Sequence, residues 1–381
     1  MAVKEVRSLT GLRGLAALAV ALYHVNPELN TSPFIGRFVG KGYLAVDVFF
    51  VLSGFVLALN YADGFAAGWS RDRHLAFLLR RVARLYPLYL FLLVAFAIAG
   101  GLIGPTDAVP MPQFLPPAVR AHPVQLGAAN LLMIQSWGFG PSIDGTAWSL
   151  SAEWAAYLLF PLLVAGACFG RPRHAAILGL AASTAVIATA LLTGRDGEMH
   201  SGPLDAYSGA TIEPLLRCLG GFTIGLLSFR LAQMERLRRL LAQDASIALV
   251  FLLLFAFLAL RLDDLAIYPL FPLLILGLYG NEGAAGRLFG ARPLHWLGLV
   301  SYSIYLLHPL WVAPKQELET LLHSAMPLGM ADVGASLAAY ATILVASALA
   351  YHLIEAPGRR WLNRVVQTRR RATRLPASSR P

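Results

Sequence analysis

The sequence predicts an all-α protein: a polytopic transmembrane bundle of about ten spanning helices with one short re-entrant or interfacial helix. Three observations carry this expectation. The 381 residues are 57% hydrophobic and only 14% charged, with a mean hydropathy of +0.61, outside the range of soluble domains. The apolar residues fall into runs close to the ~20 residues that a bilayer core demands. The basic residues fall in short stretches between the runs, on alternate sides.

Taken in order, the first span, 9–26, is the run "LTGLRGLAALAVALYHVN", which carries Arg13 and His24. The second, 43–61, holds "YLAVDVFFVLSGFVL", and the third, 85–104, follows the basic stretch "LLRRVARLYPLY". The fourth, 148–169, opens on "WSLSAEWAAYLLFP", and the fifth, 174–193, starts behind Arg171 and Arg173. The sixth, 214–233, contains Gly220 and Gly221, small residues that let helices approach closely. The seventh and eighth, 246–262 and 265–281, are separated by Asp263 and Asp264. The ninth, 295–313, carries "SYSIYLLHPLW", in which Pro309 kinks a span, and the tenth, 333–356, stops at "EAPGRR". The apolar piece 126–134 is too short to cross. Treating it as re-entrant or interfacial puts the N-terminus, the 62–84, 230–244 and 282–292 loops, Arg171–Arg173 and the tail on one face, which the positive-inside rule makes cytoplasmic. The expected protein is a multi-pass protein of the inner cell membrane with both termini in the cytoplasm. Residues 1–356 form its membrane domain, and 357–381 a basic cytoplasmic tail that rests on anionic lipid and ends disordered.

The net charge of +10 lies in short loops beside spans, so it reports topology and bilayer contact rather than nucleic-acid binding. Cys168 and Cys218 fall near opposite ends of their spans and are not expected to pair. No metal-ligand spacing occurs, and no metal is expected. The absence of Walker A, GxGxxG, GxSxG and HExxH patterns argues against an ATPase, a dinucleotide enzyme, a serine hydrolase or a zincin.

What remains is a set of ionisable groups inside apolar segments, where lipid offers no hydrogen-bond partner. Arg13 and His24 are eleven residues apart on one helix face, about 16 Å along the axis. His24 suits a general base; otherwise it bonds a carbonyl at a helix end. Asp47 and Glu153 sit at the same outer level, and either suits the carboxylate that orients a catalytic imidazole; otherwise each is a helix cap. Arg80, Arg81 and Arg84 form a guanidinium fork at a cytoplasmic mouth that suits phosphate, against plain topological anchoring. Asn26, Ser149 and Tyr305 are candidate donors to an oxyanion, and His308 is a pocket-lining or structural histidine. His352 and Glu355 read as a local pair.

These residues, in this order, resemble the acyltransferase-3 family of bacterial integral-membrane acyltransferases over nearly the whole chain. The motifs are Arg13 and His24 at R-x10-H spacing, "VDVFFVLSGFVL", Arg81-x-x-Arg84, "WSLSAE" with Glu153, "SYSIYLLHPL" and "YHLIEAPGRR". The resemblance implies transfer of an acyl group, commonly acetyl from acetyl-coenzyme A, to sugars of surface polysaccharide, lipopolysaccharide or peptidoglycan, or to small molecules. It implies a catalytic role for His24 and donor binding by Arg81 and Arg84, with Arg13 and Arg80 beside them. Some members append an extracytoplasmic hydrolase-like domain; with none evident here, the chain is expected to act alone or with separate polysaccharide-synthesis partners. Acyl-coenzyme A is then the donor on the cytoplasmic side and a glycan or glycolipid the acceptor on the outer side. A proton-coupled glycan exporter or flippase, with His24, Asp47 and Glu153 as a proton relay, is the alternative. A structural subunit of a polysaccharide synthase is a third.

Overall fold

A computed structural model describes residues 4–30, 32–103, 123–194, 201–207, 209 and 211–374. Among them every regular element is helical. The main helices are α1 (Arg7–Val25), α2 (Ala45–Tyr61), α3 (Arg71–Ile103), α4 (Pro123–Leu131), α5 (Trp148–Val164), α6 (Pro172–Leu192), α7 (Glu213–Ala232), α8 (Glu235–Leu241), α9 (Asp244–Ala259), α10 (Leu270–Gly280), α11 (Arg292–Leu307), α12 (Val312–His323), α13 (Leu328–Ala350) and α14 (Ala356–Arg374).

Among the described residues seven helical segments are long and apolar enough to cross a bilayer, or eight if one bent pair counts as a span, against the ten expected over the whole chain. Several of the expected spans differ locally. The expected span 265–281 is divided into Asp264–Ile267 and α10, because Pro269 and Pro272 each remove a backbone donor and fix φ. The expected span 246–262 is the 16-residue α9, which meets α8 at 64°. The expected span 85–104 is the second half of α3, whose 33 residues begin at Arg71 and extend about 50 Å. The 126–134 piece is α4, nine residues and so about 13 Å, too short to cross, followed by an irregular turn at Gln135–Phe139. The tail expected to be disordered from residue 357 starts instead as helix α14. A five-residue π turn, Tyr351–Glu355, joins α13 to α14 without a break in the helix, and this wider turn leaves room for Pro357, which has no N–H to donate. Residues 375–381 lie outside the described residues.

Two close crossings set the frame around the centre. Along α1 and α11, a Cβ on Gly14 would stand 2.6 Å from the backbone nitrogen of Gly298. Along α2 and α7, a Cβ on Gly225 would stand 2.8 Å from the backbone nitrogen of Phe55. In lipid no hydrophobic force draws helices together, so such backbone approach, with its dense dispersion contact, is what holds the bundle. Gly220 has the role expected of it: a Cβ there would lie 2.8 Å from Val186 Cγ2 on α6. The outer helices present apolar side chains outward, as Leu180 and Leu191 of α6 and Leu337 of α13 do, which suits a hydrocarbon solvent.

Candidate active site

Between α1, α2, α3, α5 and α11 lies a cavity of about 160 Å³ whose polar lining includes Arg13, Ser53, Arg81, Arg84, Glu153 and Tyr305. It shares Arg13, Arg81 and Arg84 with a wider vestibule of about 600 Å³ at the end of the bundle that carries the N-terminus and α14. The vestibule is lined by six basic side chains, Lys4, Arg13, Arg80, Arg81, Arg84 and Arg359, and one acid, Glu5. That imbalance at a concave mouth makes a field that concentrates anions.

The arginines differ in how their charge is met. Arg84 is ion-paired with the fully buried Glu355, which also accepts from Ser303 Oγ at 2.9 Å, so the expected His352–Glu355 pair is replaced by a contact across the bundle. Arg13 donates through Nε and Nη2 to one carbonyl, Gly298 O, at 3.3 and 2.9 Å. Arg81 donates to Tyr61 Oη at 2.9 Å and lies over the Tyr61 and Phe77 rings, while its buried Nε has no partner. Among the described residues neither Arg13 nor Arg81 has a carboxylate within ion-pair distance. Arg80 also lies over the Tyr61 ring and lines the vestibule alone.

Glu153 stands inside the cavity, where Ser53 and Tyr157 donate to it. It therefore faces the arginine end, not His24. Asp47 is in neither place. Fully buried, it takes a bidentate contact from Arg217, Nε to Oδ1 at 3.0 Å and Nη2 to Oδ2 at 2.7 Å. The expectation that one of these carboxylates orients His24 is not met, because each is bound by another partner, Arg217 for Asp47 and Ser53 and Tyr157 for Glu153.

His24 meets a second histidine instead. Its Nδ1 lies 3.0 Å from Val20 O and 3.2 Å from Nε2 of His308, whose own Nδ1 lies 3.2 Å from Ile304 O. His308 is fully buried, whereas His24 is partly exposed. One turn back from His308, Tyr305 shares a hydrogen bond of 2.8 Å with Ser149 Oγ and donates to Thr146 O at 3.2 Å. Tyr305 and Ser149 line the cavity, and the Tyr305 ring is 6.0 Å from that of His308, so this pair forms the wall between the cavity and the two histidines. Asn26, offered as an oxyanion donor, has its amide fully engaged. It donates to Glu28 and Ser336 at 2.8 and 2.7 Å and accepts from Tyr340 at 2.7 Å, and thereby ties down the end of α1. At the start of α5, Asp144 accepts from the amides of Thr146 and Ala147 at 3.1 and 2.7 Å; burial nonetheless pushes its carboxyl up to about 6.

The expected residues thus form two groups. Arg13, Arg81, Arg84, Glu153, Ser149 and Tyr305 share the cavity, while His24 and His308 lie beyond its wall. Ser53 and Arg217 go unremarked in the sequence, Glu355 reads there only as a partner of His352, and Arg359 only as part of the basic tail. For Arg217 a signal existed, since an arginine within the apolar run 214–233 requires an acid partner.

Comparison with known proteins identifies the family. A family model described as an acyltransferase domain matches residues 6–352. The acyltransferase MdmB of Streptomyces mycarofaciens is 38% identical over 173 residues, 42% of this chain and 39% of that protein. The peptidoglycan O-acetyltransferase OatA of Listeria monocytogenes is 25% identical over 388 residues, 94% of this chain and 56% of its own length. The putative peptidoglycan O-acetyltransferase YrhL of Bacillus subtilis is 26% identical over 388 residues, with 93% and 55% covered. The chain spans about half the length of these two O-acetyltransferases. No solved structure matches. With the model covering nearly all of the helical bundle that carries the arginine vestibule and His24, the chain belongs to the acyltransferase-3 family of membrane acyltransferases.

Proposed function

We propose that this chain is an O-acyltransferase of the inner cell membrane that moves an acyl group, in the first instance acetyl, from acyl-coenzyme A to a hydroxyl of a surface or exported glycan. The observation that carries the reading is the vestibule, six basic groups to one acid, continuous with a buried cavity that ends one wall short of His24. A nucleotide-bearing thioester is polyanionic at one end and slender at the other. Arg80, Arg81, Arg359 and Lys4 suit its phosphates. The small cavity suits the thin arm that bears the thioester. The acceptor arrives from the opposite face. His24 takes the proton of its hydroxyl, the oxygen attacks the thioester carbonyl, the C–S bond breaks, and the proton passes to the departing thiolate. The Tyr305 and Ser149 hydroxyls form the wall between the cavity and His24, so they must turn from Thr146 O both to open the way to the carbonyl and to donate to the oxyanion. The relatives named as O-acetyltransferases of peptidoglycan support the acyl type and the glycan class. Positive-inside charge supports a vestibule facing the cytoplasm, with both termini on that side.

The test is thiol release from acetyl-coenzyme A by purified protein in lipid nanodiscs with a glycan acceptor. The intact chain should release thiol in step with acetylated glycan. His24→Ala should bind donor as before and turn over at least 100-fold more slowly, the range for loss of a general base. Normal turnover in that variant would remove His24 from the chemistry. Glycan movement with no acyl transfer would favour an exporter.

A further inference from the structure

The two histidines are not symmetric, and their hydrogen bonds say how. A carbonyl oxygen only accepts, so Nδ1 of His308, facing Ile304 O, carries a proton, and Nδ1 of His24, facing Val20 O, carries one too. Neutral His308 then has its lone pair on Nε2, which lies 3.2 Å from His24 Nδ1. The His24 Nδ1–H is thus shared between two acceptors, one on its own helix and one on the helix that packs against it. This leaves the lone pair of His24 on Nε2, which has no partner among the described residues.

We propose that His308 is the positioning residue for His24, filling with a neutral imidazole the place that a carboxylate fills in a catalytic triad. The inference rests on the reading of His24 as the base. By accepting from Nδ1–H, His308 fixes the tautomer and ring orientation that present Nε2 as a base, and it continues to accept as His24 gains its second proton. When the acceptor oxygen attacks, its proton moves to His24 Nε2 and is later returned to the thiolate sulfur. The Nδ1 proton stays shared with His308 throughout, so no other reactant is needed. His308 can play this part because its own Nδ1–H is committed to the Ile304 carbonyl; without that contact its ring could flip or tautomerise and confront His24 with a second donor. Its complete burial, against partial exposure of His24, separates the two roles: only His24 is reachable by an acceptor.

The test uses the full chain in nanodiscs and separates acceptance from packing. His308→Gln places an amide oxygen where Nε2 stands, so kcat should remain within about tenfold of the parent. His308→Leu keeps the bulk and loses the acceptor, so kcat should fall about 100-fold with donor and acceptor KM within about twofold. If the leucine variant does not fold, His308→Asn, whose shorter amide ends near the Nδ1 position, keeps the site polar and should show the same split. A His24→Ala/His308→Leu double variant should be no slower than His24→Ala alone. Parental kcat in the leucine or asparagine variant, or a glutamine variant as slow as the leucine one while equally stable and donor-competent, would overturn the role of His308. A fully active His24→Ala variant would instead overturn the underlying reading of His24.

Discussion

Replacing Asp47 with Asn should damage stability and spare catalysis. In the structure the Asp47 and Arg217 side chains are 0% and 1% exposed, and Arg217 makes four hydrogen bonds. Two go to the carboxylate, at 3.0 and 2.7 Å; one goes to Tyr43 O at 3.0 Å and one to Ala206 O at 3.2 Å. Arg217→Leu strips all four and leaves a buried carboxylate without a cation, a loss of about 3–5 kcal/mol for breaking a buried pair. Asp47→Asn keeps one acceptor oxygen for Nε, and Arg217 keeps both carbonyls and the face of the Trp148 ring. Its loss should lie at the low end of that range, about 3 kcal/mol, because the guanidinium loses its anion but keeps three acceptors. At 1.4 kcal/mol per tenfold, the two variants differ by up to roughly 30-fold in the ratio of folded to unfolded protein. Thermal unfolding of detergent-solubilised protein should rank the parent above Asp47→Asn and Asp47→Asn above Arg217→Leu. Thiol release, measured well below the melting point and scaled to folded protein, should leave Asp47→Asn at parental kcat. An asparagine variant that melts normally but does not turn over would refute the reasoning and return Asp47 to the reaction.

The remaining expectations concern the arginines and the sidedness. Arg81→Gln should raise the donor KM about tenfold or more with little change in melting, because Arg81 has only Tyr61 to lose; an unchanged KM would return it to topological anchoring. Arg84→Gln should weaken donor binding and also lower the melting temperature, since Glu355 is left buried with Ser303 alone. The Arg84→Gln/Glu355→Gln pair should recover stability without recovering donor affinity. With Cys168 and Cys218 replaced, a cysteine at the exposed Val124 should react with an impermeant reagent added outside, and one at Arg239 only after permeabilisation. Labelling of both from outside would reverse the proposed entry of the donor.

The sequence singled out ionisable residues more readily than it revealed what they touch. Arg13, His24, Arg81 and Glu153 stood out because an ionisable group in an apolar run has few structural excuses, and three of them line the cavity. Helical spacing, however, reports neighbours on one helix only. It placed Asp47, Glu153 and His24 at one depth and could not give the angle around the bundle at which each points. The decisive partners are remote in the chain: Asp47 and Arg217 are 170 residues apart, Arg84 and Glu355 are 271, and His24 and His308 are 284. Hydropathy likewise found the break at Asp263 and Asp264 but not the second one before Leu270, since apolar residues score the same in a straight span as in two short helices. The tail's arginines read as a lipid-facing basic segment that ends disordered, and the pattern of Trp361, Leu362 and Val365 between them, which permits the amphipathic helix α14, went unread.

The wall of Tyr305, Ser149 and Thr146 has a consequence for the cell as well as for the reaction. An enzyme fed from one compartment and discharging into another, as proposed for this chain, is, without a partition, a leak for protons and metal ions. Here the positively charged mouth and the partly exposed His24 lie on either side of a few interlocked hydroxyls and the edge-on ring of Phe49. Cells expressing a variant with a smaller side chain at Tyr305 should therefore lose membrane potential, a toxicity independent of whether any glycan is acylated.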